Sequence, residues 1–193
     1  MSVKKDKWDQ AYQQADFSSA KVATVLSDNS YLLPLSGGDA LDLACGRAGN
    51  AQFLAKNGFT VDAIDISSIV LDGLASYAME NKLQINTILR NVESDGMPEK
   101  RYDVIVVSYF LNRELFPQIV ESLKPGGLLF YQTWSQLKVT DAGPSNPEFR
   151  LEAGELLDLC DSLQIILYRE NGELGKIDSG LRNEAMIIAQ KPK

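Results

Sequence analysis

The 193-residue sequence predicts an α/β fold, a doubly wound and mostly parallel sheet with helices on both faces. Three observations carry that expectation. From residue 39 onward, short apolar runs alternate with helical segments, as βαβ units require. One run, YDVIVVS at 102–108, is unbroken and rich in β-branched residues, which suits a strand buried on both faces. The first run ends in ALDLACGRAGN at 40–50, where a glycine turn leads the chain from a strand into a helix.

The segment before residue 38 is expected to be a helical cap over 1–37, with 38–193 forming the core of a single domain. Trp8 and Tyr12 stand four apart, and Val22, Val25, Leu26 and Leu33 follow Ser18 or Ser19 as a helix N-cap. Pro34, Gly37 and Gly38 end that helix. The first strand is expected at 39–44, a helix at 50–57, the second strand at 59–64 and a helix from Ser67 to Lys82. The third strand is expected at 84–89 and the fourth at 102–108. A helix at 115–124 tolerates Pro117 in its first turn. Pro125, Gly126 and Gly127 then turn the chain into a fifth strand at 128–134. Residues 135–150, rich in Pro, Ser, Asn and Gly, read as a lid; a helix at 153–163 and strands at 164–169 and 184–190 follow. No helical pattern separates the last two strands, so they are expected to form an antiparallel hairpin.

Composition narrows the function. With 45% hydrophobic and 23% charged residues, the chain can bury an ordinary core. A net charge of −7, without a run of Lys and Arg, disfavours nucleic acid and leaves small molecules or proteins as partners. The N-terminal MSVKKDKWDQ lacks the apolar stretch of a signal peptide, and no apolar run reaches the roughly 20 residues that cross a bilayer, so a cytoplasmic chain without membrane contact is expected. Cys45 and Cys160 suggest neither a disulfide framework nor a metal site. The sequence has no histidine, which removes the usual general base and the commonest transition-metal ligand.

Ligands of such sheets bind beyond the carboxyl ends of the strands. From Ala44 the turn reads A-x-G-x-x-G, close to the fingerprint that seats a pyrophosphate. Asp65 follows the second strand, about 20 residues beyond the turn, where a dinucleotide fold places an acid on a ribose. Asn91 can both donate to and accept from an adenine edge, and Glu93 beside it reads as a loop acid. Asp62 is expected to point outward. Asp42 is expected to lie at the strand end and face the loop, where a diphosphate would be repelled and a cationic nucleoside favoured. Opposite charges about 4 Å apart are worth about 4 kcal/mol gross at an intermediate dielectric. An NAD-linked oxidoreductase and a non-catalytic cofactor-binding regulatory module are the alternatives.

LDLACGRAGN, VDAIDIS, RNVE, YDVIVVSYFLNRELF and LKPGGLLFYQTW resemble, in order and spacing, the motifs of class I S-adenosylmethionine-dependent methyltransferases. WDQAY near the N-terminus and GPSNPEFRLEAGELLDL resemble the small bacterial tellurite-resistance and thiopurine methyltransferases. The resemblance implies a Rossmann-like sheet of seven strands in the order 3-2-1-4-5-7-6, S-adenosylmethionine as cofactor and S-adenosylhomocysteine as product. It implies that Asp42, Ala44, Cys45 and Gly46 line the methionine end, that Asp65 holds the ribose with Ile66 against the adenine, and that Asn91 and Val92 meet the adenine edge. Ser108 is implied to close the pocket below the sulfonium. Ala44 replaces a common glycine and Ala48-Gly49 shifts the third glycine by one, so the turn is expected to open slightly and bind cofactor less tightly.

Methyl transfer needs alignment more than a base, and a small, soft or anionic acceptor such as a thiol or chalcogen anion would need none. An acceptor carrying a proton would give it to Tyr109, Tyr12, Glu93 or a group of its own. Trp8 and Tyr12 are expected to stack on the cofactor or cover the sulfonium. Tyr109 and Phe110 wall the methyl group. Arg113 and Arg150 are the candidates to grip an anion.

Overall fold

The computed structural model describes residues 3–193, and the first two residues of the expected N-terminal cap lie outside them. Seven strands form one sheet: β1 (Gly38–Leu43), β2 (Phe59–Asp65), β3 (Ile85–Leu89), β4 (Tyr102–Ser108), β5 (Leu123–Trp134), β6 (Gln164–Glu170) and β7 (Glu184–Gln190). Their order across the sheet is 3-2-1-4-5-7-6, as expected. β3, β2, β1, β4 and β5 are parallel, whereas β7 runs antiparallel to both β5 and β6. The reversal follows from the chain: only a loop joins β6 to β7, so the second strand has to return antiparallel.

The helices are α1 (Val3–Tyr12), α2 (Thr24–Ser27), α3 (Gly49–Lys56), α4 (Ser68–Glu80), α5 (Val92–Asp95), α6 (Phe116–Glu121) and α7 (Glu155–Leu159). The alternation of side chains along each strand divides the core in two. On one face Ala40, Val61, Val106, Phe130 and Ile188 pack with Val25 and Leu26 of α2, Leu54 of α3 and Leu74 of α4. On the other, Leu41, Ile105, Tyr131 and Ile187 pack with Phe116 and Ile119 of α6 and Leu156 of α7. Each such side chain contributes about 1.5–3 kcal/mol by leaving water. The same alternation gives Asp65, Asp42, Ser108, Gln132 and Glu184 the parity of the first face. All five stand toward one edge of the sheet, because β7 begins where the parallel strands end.

Two expectations need correction. The helix expected from Ser18 or Ser19 does not form there: the Ser18 hydroxyl bonds Asp16 (2.7 Å), and α2 starts only at Thr24, behind an Ala23 with no side-chain cap. The segment is instead held by distant groups. The Ala23 amide donates to Asn50 (2.9 Å), the Val25 amide to Gln132 (2.7 Å), and the Gln52 side chain donates to the Phe17 carbonyl (2.9 Å). Asp62 does not point outward. It is 5% exposed and accepts from the Tyr102 hydroxyl (3.0 Å), Lys100 (3.1 Å) and Asn86 (3.0 Å). From Val61 to Asp65 successive residues of β2 are all buried, so both faces of the strand are covered there.

Candidate active site

The turn after β1 is tight. Ala44, Gly46 and Ala48 have φ of 54°, 49° and 56°, all in the left-handed region. For an L-residue that conformation costs roughly 1–2 kcal/mol. The turn nevertheless closes on itself: the Cys45 amide donates to Ile64 (2.9 Å) and the Ala48 amide to Cys45 (2.7 Å). The two alanines are therefore accommodated as backbone strain and not by an opened turn, which corrects that expectation. The shifted glycine has its own cause, since a Cβ on Gly49 would lie 2.1 Å from the Lys21 carbonyl oxygen, where the N-terminal segment crosses α3.

Two acids lie beneath this turn. Asp42 is fully buried and accepts from the Ala51 amide (2.9 Å) and the Asn50 side chain (3.4 Å), both in the first turn of α3. Its carboxylate thus braces the helix start and does not face the loop, as had been expected. Loss of solvent pushes its carboxyl up to about 7. Asp65 accepts from the Gly46 amide (2.9 Å) and the Ser67 amide (2.9 Å), and burial raises its carboxyl too. Neither acid forms an ion pair among the described residues, although Arg47 of the same turn acts on the Tyr12 hydroxyl together with Asp65.

Further expected site residues gather around these acids. The Arg90 amide bonds the Asp65 carbonyl (3.0 Å), which brings the end of β3 and Asn91 beside Asp65 and the half-buried Ile66. Asn91 caps α5 by accepting the Glu93 amide (3.2 Å), and Val92 is buried. Ser108 accepts from Asn50 (2.9 Å), so Asp42, Asn50 and Ser108 are linked side by side. Tyr12 stands over the turn, where a Cβ on Gly46 would come within 2.8 Å of its hydroxyl. Trp8 stacks on Tyr12 at 5.7 Å but is turned toward solvent. α1 is docked by the Ser67 hydroxyl donating to Asp9 (2.6 Å) and by Lys5 donating to Ser68 (3.2 Å). Burial drives the Cys45 thiol far up, so it is packing and not a nucleophile.

Beyond β4 the picture departs from the sequence reading. Arg113 forms a pair with Glu155 (2.5 and 2.9 Å) and also donates to the Glu148 and Arg150 carbonyls. Arg150 is 4% exposed and donates to the carbonyls of Pro144, Ser135 and Ala142. Both guanidinium groups are spent on the protein, so neither grips an anionic acceptor. Segment 135–150, expected to be a lid, is tied to the rest of the fold at both ends and at its middle. A bridge joins Ser135 to Leu151, and Asn183 accepts the Val139 and Thr140 amides (2.7 and 3.1 Å). Tyr109, at φ 57°, packs tilted against Trp134 at 5.2 Å; its hydroxyl donates to Glu184 (3.4 Å) and is pushed up to about 12 by burial and by that acid. It keeps its proton at neutral pH, as does Tyr12, whose hydroxyl burial also raises, so neither expected base is one. Glu93 is exposed on the first turn of α5. Phe110 is packed against the second core cluster.

Residues that sequence reasoning missed complete this side. Tyr109, Gln132, Val139, Thr140, Asn183 and Glu184 surround a cavity of about 380 Å³. Gln132 pairs with Ser108 in register and donates to Glu184 (2.5 Å), so the polar row runs on from the glycine turn to this cavity. No local motif marks Gln132 or Glu184, and only the pairing of β4, β5 and β7, with Asn50 of α3 bonded to Ser108, brings these residues together.

Known proteins share this fold. A structure of TehB from Haemophilus influenzae superposes with a TM-score of 0.70 at 25% identity, covering 97% of this chain and 67% of that one. A TehB-like S-adenosylmethionine-dependent methyltransferase from Corynebacterium glutamicum superposes at 0.65 with 17% identity, covering 97% and 98%. A ubiquinone biosynthesis O-methyltransferase of Coxiella burnetii is 30% identical over 106 residues, 52% of this chain and 45% of that enzyme, so the chain matches about half of such curated relatives. No helix among the described residues is long and apolar enough to cross a membrane. Residues 4–187 match the family model of the tellurite resistance protein TehB; the chain belongs to that family, and its fold is the Rossmann-like fold of the class I S-adenosylmethionine-dependent methyltransferases.

Proposed function

We propose that this chain binds S-adenosylmethionine at the turn after β1 and transfers its methyl group to a small molecule held beside Tyr109, working as one catalytic domain with residues before 38 as a cap. The observation that carries the reading is a pair of buried acids, Asp42 and Asp65, beside a left-handed turn, neither of them in an ion pair among the described residues. Asp65 suits the ribose of either nucleoside, and the discrimination falls to Asp42, whose negative charge behind Asn50 favours a sulfonium and an ammonium over a diphosphate at the turn. The O-methyltransferase named among the relatives supports the same chemistry.

When bound, S-adenosylmethionine supplies an electrophilic methyl carbon on a good leaving group. The protein holds and orients. Asp65, already accepting two backbone amides, has lone pairs left for the ribose hydroxyls, with Ile66 against the base and Asn91 and Val92 at its edge. Asp42 stabilises positive charge at the methionine end from behind Asn50, Ser108 lines the pocket under the donor sulfur, and Tyr12 closes the turn from above. Orientation of this kind is worth several kcal/mol of barrier.

Calorimetric titration with S-adenosylhomocysteine and, separately, with NAD tests the reading. Binding of the first alone is expected. Tight binding of NAD overturns it, and cofactor binding without methyl transfer to any acceptor in a broad panel would identify a regulatory module instead.

A further inference from the structure

Glu184 is a half-buried carboxylate with no ion-pair partner among the described residues. It opens β7 and lines the 380 Å³ cavity beside Tyr109. One oxygen accepts from the Tyr109 hydroxyl (3.4 Å) and the other from the Gln132 amide (2.5 Å), which leaves each oxygen a further lone pair. The other charges in the wall are already engaged. Arg182 donates to the carbonyls of Ser179 (2.7 Å), Gly172 (2.7 Å), Asn171 (3.4 Å) and Lys176 (2.7 Å), and Asp178 pairs with Lys176 at 3.5 Å. A carboxylate removed from water without a cation is costly unless a ligand supplies one.

Resting on the methyl-transfer reading, we propose that this cavity is the acceptor site, that it takes a small organic ammonium ion, and that Glu184 both pairs with it and accepts its proton. The ammonium gives one proton to a Glu184 oxygen, and the lone pair so freed forms the bond to the methyl carbon. The carbon–sulfur bond breaks with its electrons remaining on sulfur. The positive charge of the sulfonium passes to the methylated ammonium, and the Glu184 proton leaves to solvent. The polar row from Asp42 through Asn50, Ser108 and Gln132 sets this cavity next to the cofactor turn. Burial also raises the Glu184 carboxyl, the direction a proton acceptor for an ammonium needs. With no free arginine in the wall, the site is the reverse of an anion trap.

The test is an NMR titration of the protein saturated with S-adenosylhomocysteine, using benzylammonium, phenol and benzoate as probes. Benzylammonium is expected to perturb the Gln132 and Asn183 side-chain amides saturably, with benzoate binding at least tenfold more weakly. Glu184→Gln, which keeps an acceptor for Tyr109, is expected to weaken benzylammonium at least tenfold while S-adenosylhomocysteine binds as before. Should that variant not fold, Glu184→Asp is expected to give a smaller loss in the same direction. Phenol or benzoate binding as well as benzylammonium, no probe perturbing these amides, or an unaffected variant overturns the proposal. If S-adenosylhomocysteine itself fails to bind the unaltered protein, the underlying methyl-transfer reading has failed instead.

Discussion

Replacing Asp42 with asparagine probes the buried acid beneath the glycine turn. In the ligand-free protein its carboxyl rises from the ordinary aspartate value to about 7, chiefly by desolvation and against the pull of the Ala51 and Asn50 hydrogen bonds. At about 1.4 kcal/mol per pH unit, keeping this carboxylate ionised in the folded state costs about 4 kcal/mol above pH 7. Between about pH 4 and pH 7 the folded protein holds a proton that the unfolded chain has released. Stability therefore falls as pH rises through that window and levels off above it. From pH 5 to pH 8 the share of Asp42 is about 2–3 kcal/mol. Asp65 and Glu184 are raised as well and add slope of the same sign. The substituted amide could still accept from the Ala51 backbone but would face the Asn50 side-chain donor, a cost that does not vary with pH. Urea unfolding at pH 5 and pH 8 is the assay, and the difference between the two pH values is expected to shrink by about 2 kcal/mol in the variant. Cofactor affinity offers a second readout. A bound cation favours the ionised acid, so affinity is expected to rise up to about tenfold from pH 6 to pH 8 in the unaltered protein and to stay flat in the variant. A variant with the full original slope in stability would show that Asp42 is ionised throughout, and the electrostatic reasoning would fail.

Asp65→Ala is expected to lower affinity for S-adenosylhomocysteine by one to two orders of magnitude, about 1.5–3 kcal/mol for charge-assisted hydrogen bonds; unchanged calorimetric affinity would remove Asp65 from the ribose. Ala44→Gly relieves a left-handed alanine at the expense of chain entropy, so a gain of up to about 1 kcal/mol in urea unfolding is expected, and a loss would mean that its methyl group packs usefully. Arg113→Ala is expected to cost about 1 kcal/mol of stability through Glu155 while leaving cofactor affinity alone; a loss of turnover at unchanged stability would restore it to the acceptor side.

The sheet was legible because its signals are local. Runs such as YDVIVVS at 102–108 and EAMIIAQ at 184–190 lie within single strands, and both match β4 and β7. That Asp42, Gly46 and Asp65 stand together was legible for a related reason, since they lie at or just beyond the ends of the paired strands β1 and β2. What could not be read depends on partners far away in the chain. Val22, Val25 and Leu26 have helical spacing, yet the Ala23 amide is taken by the Asn50 side chain with Ala23 extended, so the helix begins only at Thr24. Asp62 looked like a surface charge because Lys100 and Tyr102 come from a later part of the sequence. Arg113 and Arg150 looked available because the carbonyls and the Glu155 carboxylate that engage them meet only after folding. Glu184 carried no signal, since a lone acid at a strand start means little until its neighbours are known.

The reversed direction of β7 has a consequence for how such a chain can diversify. Contacts expected to hold the nucleoside come from the first 110 positions, whereas the opposite chamber, apart from Thr24 and Tyr109, is built from β5, the 135–150 segment and the approach to β7. Residues 171–183 can thus be recast, lengthened or exchanged between family members to admit a different guest, while the apparatus that presents the transferable group stays as it is.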